Sequence, residues 1–79
     1  MPELTMLDAN LRVQLIRQAR ELAEERGWKL LDPIEVTASA EAGDPVWMIH
    51  SNYLSLGRNV LIVLRKSDLG LVRAAYLPR

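Results

Sequence analysis

The chain contains one histidine, His50, and no cysteine, which limits the side-chain chemistry that it can perform. Histidine-based triads, Cys–His pairs and multi-histidine metal sites all need more residues of these types. His50 follows an apolar run and is predicted to be a hydrogen-bonded structural residue at a strand end. Four acids lie in one region, Asp32, Glu35, Glu41 and Asp44, but the alternating pattern around them predicts a solvated strand edge.

The four glycines are isolated in the sequence, so no glycine-rich phosphate-binding loop is predicted. From the residues that could do chemistry we therefore predict a protein that is not an enzyme. We expect no catalytic residue, no cofactor-binding residue, no cofactor and no metal ligand.

Basic side chains are concentrated in the second half of the chain. Residues 45–79 carry five basic side chains and one acidic side chain (net +4), whereas residues 1–44 carry five basic and nine acidic side chains (net −4). Sequence halves with net charges of opposite sign favour either self-association of two chains or attraction between the helix and the sheet of one chain. The five basic residues are Arg58, Arg65, Lys66, Arg73 and Arg79, and they could contact a few phosphates. A pI of about 6.6 and an aromatic content of 5% disfavour nucleic-acid binding, which we keep as an alternative.

Apolar residues near the N-terminus recur every three or four positions, which is typical of an amphipathic helix. They are Leu11, Leu15, Ile16, Ala19, Leu22 and Ala23. The pattern predicts a helix of about five turns over residues 7–26. Thr5 and Asp8 have the spacing of a capping box, and Asp8 is itself the competing N-cap. Gly27 is predicted to cap the C-terminus.

The middle of the chain has the composition of two strands. Residues 34–41 alternate apolar and polar side chains after Pro33, which predicts an edge strand with one buried face. Residues 42–45, Ala-Gly-Asp-Pro, predict a turn. Residues 46–50 are apolar on both faces, which predicts an interior strand.

The next connection, residues 51–58, contains three large apolar residues, Tyr53, Leu54 and Leu56. Loops usually lie on the surface. These side chains are therefore predicted either to fold back onto the core or to form an apolar loop tip.

Residues 59–76 predict a β-hairpin whose turn determines the pairing of its strands. The strand at residues 60–64 is followed by Ser-Asp-Leu-Gly, which predicts a three-residue loop with Gly70 at positive φ. With that loop Leu64 lies opposite Ala74, Ile62 opposite Tyr76 and Lys66 opposite Val72. A four-residue loop ending at the same glycine would shift the register by one residue and separate Arg65 from Arg73.

The first of these registers gives the hairpin two different faces. One face, expected to meet the helix, carries Val60, Ile62, Leu64, Val72, Ala74 and Tyr76. The other carries Leu61, Val63, Leu71 and Ala75, with Arg65 directly opposite Arg73. Two like charges at that spacing repel, and a carboxylate would relieve the repulsion. The arginine pair therefore predicts a docking site on the face away from the helix; the alternative is that Arg73 forms an internal salt bridge with Glu35 or Glu41.

These elements predict an α+β fold in which one N-terminal amphipathic helix packs on a three- to four-stranded antiparallel meander sheet. We expect a single domain over residues 1–79. Such a chain buries only about 60% of its unfolded surface, which predicts a marginal monomer or a dimer. Because no segment approaches ~20 apolar residues and the N-terminus lacks a signal-peptide pattern, we expect a cytoplasmic protein with no membrane partner.

Several segments over about residues 15–76 resemble the small PepSY-type and cystatin-like domains. They are the alanine-rich helix end at residues 19–23, the strands at residues 46–49 and 60–63, and Asp-Leu-Gly-Leu-Val at residues 68–72. In those domains a helix lies across an antiparallel meander whose last hairpin turns at an acidic residue followed by glycine. The resemblance implies a non-enzymatic module that inhibits or chaperones peptidases, commonly outside the cytoplasm. Such domains also look like bacterial immunity proteins, which cover a toxin.

We therefore predict a small non-catalytic protein-binding module of the inhibitor or immunity type. The strands at residues 46–49 and 60–64 are apolar on both faces and one helix covers only one face, so a protein partner or a second copy (a homodimer) is expected on the other. The predicted binding residues are Tyr53, Leu54, Leu56, Arg58, Leu61, Val63, Arg65, Leu71 and Arg73. The alternative is a ligand-binding or enzyme fragment with a pocket between helix and sheet at Trp47, His50 and Tyr76.

Overall fold

The computed structural model describes residues 7–54 and 57–77. These residues form one helix, α1 (Ala9–Glu25), and four strands, β1 (Ile34–Glu41), β2 (Asp44–Ser51), β3 (Asn59–Arg65) and β4 (Leu71–Leu77). Neighbouring strands pair antiparallel in the order β1-β2-β3-β4, so β1 and β4 form the two edges. The predicted α+β fold, an N-terminal helix on an antiparallel meander with β1 at its edge, is confirmed.

Asp8 caps the N-terminus of α1. Its backbone is extended, with φ −97° and ψ 175°, and its Oδ1 accepts a hydrogen bond from the Leu11 N–H at 2.7 Å. The carboxylate satisfies one of the amide groups that have no partner in the first turn of a helix. Of the two predicted caps, Asp8 is therefore the one observed, and Thr5 lies outside the described residues.

The C-terminus of α1 ends in a Schellman motif that Gly27 makes possible. The Gly27 N–H donates to the Glu24 carbonyl at 3.0 Å, and the Trp28 N–H donates to the Ala23 carbonyl at 2.9 Å. This arrangement requires a left-handed residue, and Gly27 has φ 77°. The motif turns the chain back so that Trp28 approaches the sheet.

The core lies between α1 and the two middle strands. The helix contributes the fully buried residues Leu15, Ala19 and Ala23, and it lies over β2 and β3. We call the helix-facing side of the sheet the inner face and the opposite side the outer face. Inner-face residues of the middle strands are almost completely buried: Trp47, Ile49, Val60, Ile62 and Leu64. The inner face of β4 lies beside the helix rather than under it.

Two polar side chains fix the position of α1 on the sheet. The Arg12 guanidinium donates to the carbonyl of Ile34 in β1 at 2.8 Å, and Gln18 Nε2 donates to the carbonyl of Leu69 at 2.8 Å. Each bond satisfies a backbone carbonyl outside the regular ladder. The helix is thereby attached both to the β1 edge and to the β3–β4 connection.

The β1–β2 turn is shorter than the sequence predicted. Ala42 and Gly43 connect the strands with φ values of 52° and 86°, the signs that a two-residue type I′ turn requires. Asp44 and Pro45, predicted to be part of the turn, already belong to β2. Pro45 is accommodated because it stands at the start of the strand.

The register of the β3–β4 hairpin is not the predicted one. Ile62 lies opposite Ala74, Val60 opposite Tyr76 and Leu64 opposite Leu71, with a register shift between Val63 and Leu64. Neither the three-residue nor the four-residue loop gives this pairing. The connection instead runs over residues 66–70, and the bulge at the start of β4 offsets the strands.

The positive φ in this connection falls on Leu69, at 59°, and not on Gly70 as predicted. The turn is closed by the Leu69 N–H, which donates to the Arg65 carbonyl at 2.7 Å, while Leu69 packs partly buried against the core. Gly70 is needed for a different reason. A β-carbon there would lie 3.0 Å from Asp68 Oδ1 and 3.1 Å from Arg65 Nη1.

Candidate protein interface

The predicted arginine pair on the outer face is not formed. Arg73 lies opposite Val63 of β3, whereas Arg65 is the last residue of β3 and pairs with Val46 of β2. Arg65 Nη1 is 3.4 Å from Asp68 Oδ1. Arg73 makes a two-pronged contact with Glu41, with Nε 3.0 Å from Oε1 and Nη2 2.7 Å from Oε2. Each guanidinium is therefore matched by a carboxylate of the same chain, and the predicted repulsion between them is absent.

The Arg73–Glu41 contact changes the titration of both groups. Hydrogen bonds from Arg73 hold the pKa of the Glu41 carboxyl below its ordinary value of 4.5, partial desolvation opposes this, and the positive charge adds to the lowering. The same hydrogen bonds and the negative charge raise the pKa of the Arg73 guanidinium. Both charged forms are favoured when the pair is formed.

This ion pair joins the two edge strands across the outer face. In a flat sheet β1 and β4 would be about 14 Å apart, three spacings of about 4.8 Å. Glu41 also lies four residues beyond Thr37, the β1 residue in the same row as Arg73. The pair can form only because the sheet twists and curves. Val46 and Val63 on the outer face are 0% exposed.

The curved outer face presents less apolar surface than predicted. Val63 is on this face but fully buried, and Leu61 and Ala75 are half-buried. Leu71 was predicted to lie here, but it faces Leu64 across the strands and packs against the core on the inner face. The bulge at the start of β4 causes this change of side.

The β2–β3 loop is held by a buried asparagine that sequence patterns did not single out. Asn59 Nδ2 donates to the Asn52 carbonyl at 2.8 Å, and its Oδ1 accepts from the Gly57 N–H at 2.9 Å. Ser51 Oγ accepts from the Val60 N–H at 3.0 Å. The sequence shows only an asparagine before an apolar strand. The role of Asn59 could not be predicted, because its hydrogen-bond partners depend on the conformation of the loop.

Two apolar side chains of this loop, Tyr53 and Leu54, lie in solvent. Leu54 is 75% exposed and Tyr53 is also exposed. Of the two predicted alternatives for these residues, the apolar loop tip is the one observed. Leu56, predicted with them, lies outside the described residues.

The predicted pocket residues do not converge. Trp47 is buried in the core on the inner face, whereas His50 points to the outer face, opposite Glu35 and Leu61. Tyr76 lies on the inner face at the β4 edge. The alternation of side chains along β2 keeps Trp47 and His50 on opposite sides of the sheet.

A groove lies beside Tyr76 instead. Trp28 stacks on Tyr76 with ring centroids 5.6 Å apart and an interplanar angle of 17°. The groove of about 510 Å³ is lined by these rings and by Gly27, Lys29, Leu31 and Arg58. This places Arg58, a predicted binding residue, next to the end of β4.

Most of the basic residues of the second half have partners within the chain. Lys66 Nζ lies 4.3 Å from the centre of the Trp47 ring, and Arg65 and Arg73 contact carboxylates. Arg58 is exposed at the groove, and Arg79 lies outside the described residues. A continuous basic surface for phosphate is therefore not present in the described part of the chain.

The backbone of β4 has one side directed away from the sheet. The Lys66 N–H donates to the Pro45 carbonyl at 3.1 Å and the Arg65 N–H donates to the Gly70 carbonyl at 2.8 Å. Odd-numbered β3 residues therefore direct their backbone groups to β4. Their partners include Arg73 and Ala75. The β4 residues between and beside Arg73 and Ala75 consequently direct backbone groups away from β3.

Three such residues carry apolar side chains, Val72, Ala74 and Tyr76, which we call the β4 rim. By the alternation, the Val72 carbonyl and the N–H and carbonyl groups of Ala74 and Tyr76 point away from β3. Val72 and Tyr76 are exposed and Ala74 is half-buried, because the helix lies over β2 and β3. Leu77, at the end of the strand, is 60% exposed. The β4 rim thus combines unpaired backbone groups with apolar surface.

No protein-family model matches the chain, and comparisons with curated proteins and with solved structures give no match. The resemblance to PepSY-type and cystatin-like domains stays a prediction. Within residues 7–54 and 57–77, no helix is long and apolar enough to cross a membrane. The same residues contain no group of three His, Cys, Asp or Glu side chains placed to hold a metal ion.

Proposed function

We propose that this chain is a non-catalytic protein-binding module that binds an extended protein segment along the edge of β4. The observation that supports this proposal is the β4 rim, where outward backbone groups and exposed apolar side chains coincide. A strand added to an open sheet edge gains main-chain hydrogen bonds and buries alternate side chains. Of the exposed large apolar side chains in the described residues, only Val72, Tyr76 and Leu77 lie on a strand.

The other sheet edge is a poorer place for an added strand. The Ile34 carbonyl in β1 accepts from Arg12, and the neighbouring Pro33 carbonyl accepts from the Tyr53 N–H at 3.4 Å. β1 also carries Glu35 and Glu41, and charged side chains are a common protection of edge strands. β4 has one charged residue, Arg73.

This proposal keeps the predicted protein-binding role and moves its surface. The outer face is closed by the Arg73–Glu41 pair and by the burial of Val63, so the β4 rim is the better interface. An inhibitor or immunity role is supported by the family resemblance and is part of the proposal. The cytoplasmic location likewise stays a prediction.

The proposal is tested with a random peptide display library selected on the immobilised protein. We expect enrichment of peptides with alternating apolar residues, since only alternate side chains of an added strand face the inner side. Val72→Lys should weaken binding of the selected peptides by about tenfold or more, because it places a charge in the apolar rim. Ala40→Lys, at an exposed position of β1, is the matched control and should bind as wild type. Absence of enrichment, or equal binding by Val72→Lys, would contradict the proposal.

A further inference from the structure

We infer that the segment bound at the β4 rim is β4 of a second copy, paired antiparallel about a two-fold axis at Ala74. This inference rests on the proposed function and names its partner. An isologous contact of this kind needs a surface that is complementary to itself. The β4 rim meets that requirement in its hydrogen bonds, its side chains and its charge.

The backbone groups of the rim are self-complementary. With the axis at Ala74, the Ala74 N–H of each copy donates to the Ala74 carbonyl of the other. The Tyr76 N–H donates to the Val72 carbonyl of the second copy. All of these groups point away from β3 by the alternation of the antiparallel ladder. The two sheets would join into one continuous sheet with both helices on the same side.

The side chains brought together by this register are also compatible. Val72 lies opposite Tyr76 of the second copy, a pairing of β-branched and aromatic residues that stabilises antiparallel strands. Val72 and Tyr76 are both exposed in the single chain. The pairing therefore removes exposed apolar surface from each copy.

Charge and hydrogen bonding select this register over its neighbours. With the axis at Ala74, the only charged residue of the strand, Arg73, lies opposite Ala75. An axis at Arg73 would place two guanidiniums directly opposite each other, which is destabilising. An axis at Ala75 would place Arg73 opposite Leu77 and leave Val72 without a pairing partner among the described residues.

Sedimentation of the wild-type chain over a range of concentrations is the first test, and the expected result is a reversible dimer. Ala74→Pro removes an outward N–H without touching the ladder to β3, so it should keep its circular dichroism spectrum and weaken dimerisation by about tenfold or more. Ala38→Pro is the matched control, because the same alternation directs the Ala38 N–H outward from β1. It should dimerise as wild type.

A second measurement does not depend on how proline is tolerated. Because the chain has no cysteine, Ala74→Cys introduces a single thiol on the proposed axis. The Cα atoms of a hydrogen-bonded antiparallel pair are about 5.5 Å apart, within the range of a disulfide. Mild oxidation should link Ala74→Cys into dimers and leave Ala38→Cys as monomers.

The outcomes separate this inference from the proposed function. The β4–β4 pairing is overturned if the wild-type chain stays monomeric at about 1 mM, the range of the weakest specific contacts. It is also overturned if Ala74→Pro does not weaken the dimer. If that monomer still binds selected peptides and Val72→Lys does not, the proposed function stands and only the identity of the partner is wrong. A β4–β4 disulfide dimer with no peptide binding would leave self-association as the sole activity of the rim.

Discussion

At the scale of single residues, the chain places residues other than glycine in the left-handed conformation, which glycine adopts most easily. Within residues 7–54 and 57–77, four non-glycine residues have positive φ, and all lie in connections: Ala42, Asn52, Arg58 and Leu69. The left-handed conformation costs roughly 1–2 kcal/mol for a residue with a β-carbon. Leu69 gains packing against the core in return, whereas Arg58 is exposed. At Arg58, as at Ala42, no core packing offsets this cost.

Arg58→Gly is expected to stabilise the protein by about 0.5–1 kcal/mol. The substitution relieves the left-handed strain, and the greater freedom of glycine in the unfolded chain offsets part of the gain. Urea unfolding measures the change. Arg58→Ala removes the same charge and keeps a β-carbon, so it should not be stabilising; a similar gain in both variants would mean that the charge, and not φ, is responsible.

The pKa of Glu41 should depend on Arg73 alone among the arginines. In wild type it is below 4.5, and in Arg73→Ala it should return towards 4.5, because the hydrogen bonds that lower it are removed. Titration of the side-chain carboxyl by NMR measures this. Arg65→Ala, which loses the contact with Asp68, is the control and should leave the Glu41 titration unchanged.

The sign of the corresponding stability change follows from the lowered pKa. A carboxyl with a lowered folded-state pKa stabilises the protein above its unfolded pKa, and this contribution disappears as the pH falls through the folded-state value. Wild type should therefore lose more stability than Arg73→Ala as the pH is lowered below about 4.5. Parallel losses in the two proteins would show that the pair has no part in acid sensitivity.

At the scale of elements, the buried Asn59 side chain holds the β2–β3 loop together with Ser51 and Asn52. Asn59 is 6% exposed and bonds both the Asn52 carbonyl and the Gly57 N–H. Asn59→Ala should destabilise the protein by about 2–3 kcal/mol, since buried backbone groups lose their partners. Asn10→Ala on the exposed face of α1 should change stability by no more than about 0.5 kcal/mol. Equal effects in urea unfolding would rule out the proposed role of Asn59.

The helix and the order of the strands could be predicted because they follow from local patterns. The spacing of apolar residues at three and four positions predicted α1. The alternation of apolar and polar residues after Pro33 predicted β1 as an edge strand. The hairpin register could not be predicted, because it depends on a left-handed leucine and a bulge that residue composition does not reveal. Arg12 and Gln18 were missed as tethers, since their partners Ile34 and Leu69 are distant in sequence.

At the scale of the whole molecule, one helix covers only part of a four-stranded sheet. Two layers of this size give a small core, and chains of this length bury a modest share of their surface. The partner surface was predicted on the wrong side for a physical reason. Apolar patterning shows that a strand has two buried faces, but the curvature that buries Val46 and Val63 arises only when the whole sheet is assembled.

If the chain pairs through β4, its thermal unfolding must depend on concentration. Anything that binds only the folded state raises the midpoint by mass action. The wild-type midpoint should rise by a few degrees for each tenfold increase in concentration, and that of Ala74→Pro should rise less over the same range. Differential scanning calorimetry at three concentrations measures this. A wild-type midpoint that does not move would contradict the dimer.

The bridge between Glu41 and Arg73 has a consequence for local opening. In a meander the first and last strands usually separate from the sheet independently, because only neighbouring strands share hydrogen bonds. Here a contact between residues 32 positions apart joins them. The tip of the β1–β2 hairpin and strand β4 should therefore open as one cooperative unit in native-state hydrogen exchange. In Arg73→Ala the two groups of amides should exchange with separate opening free energies.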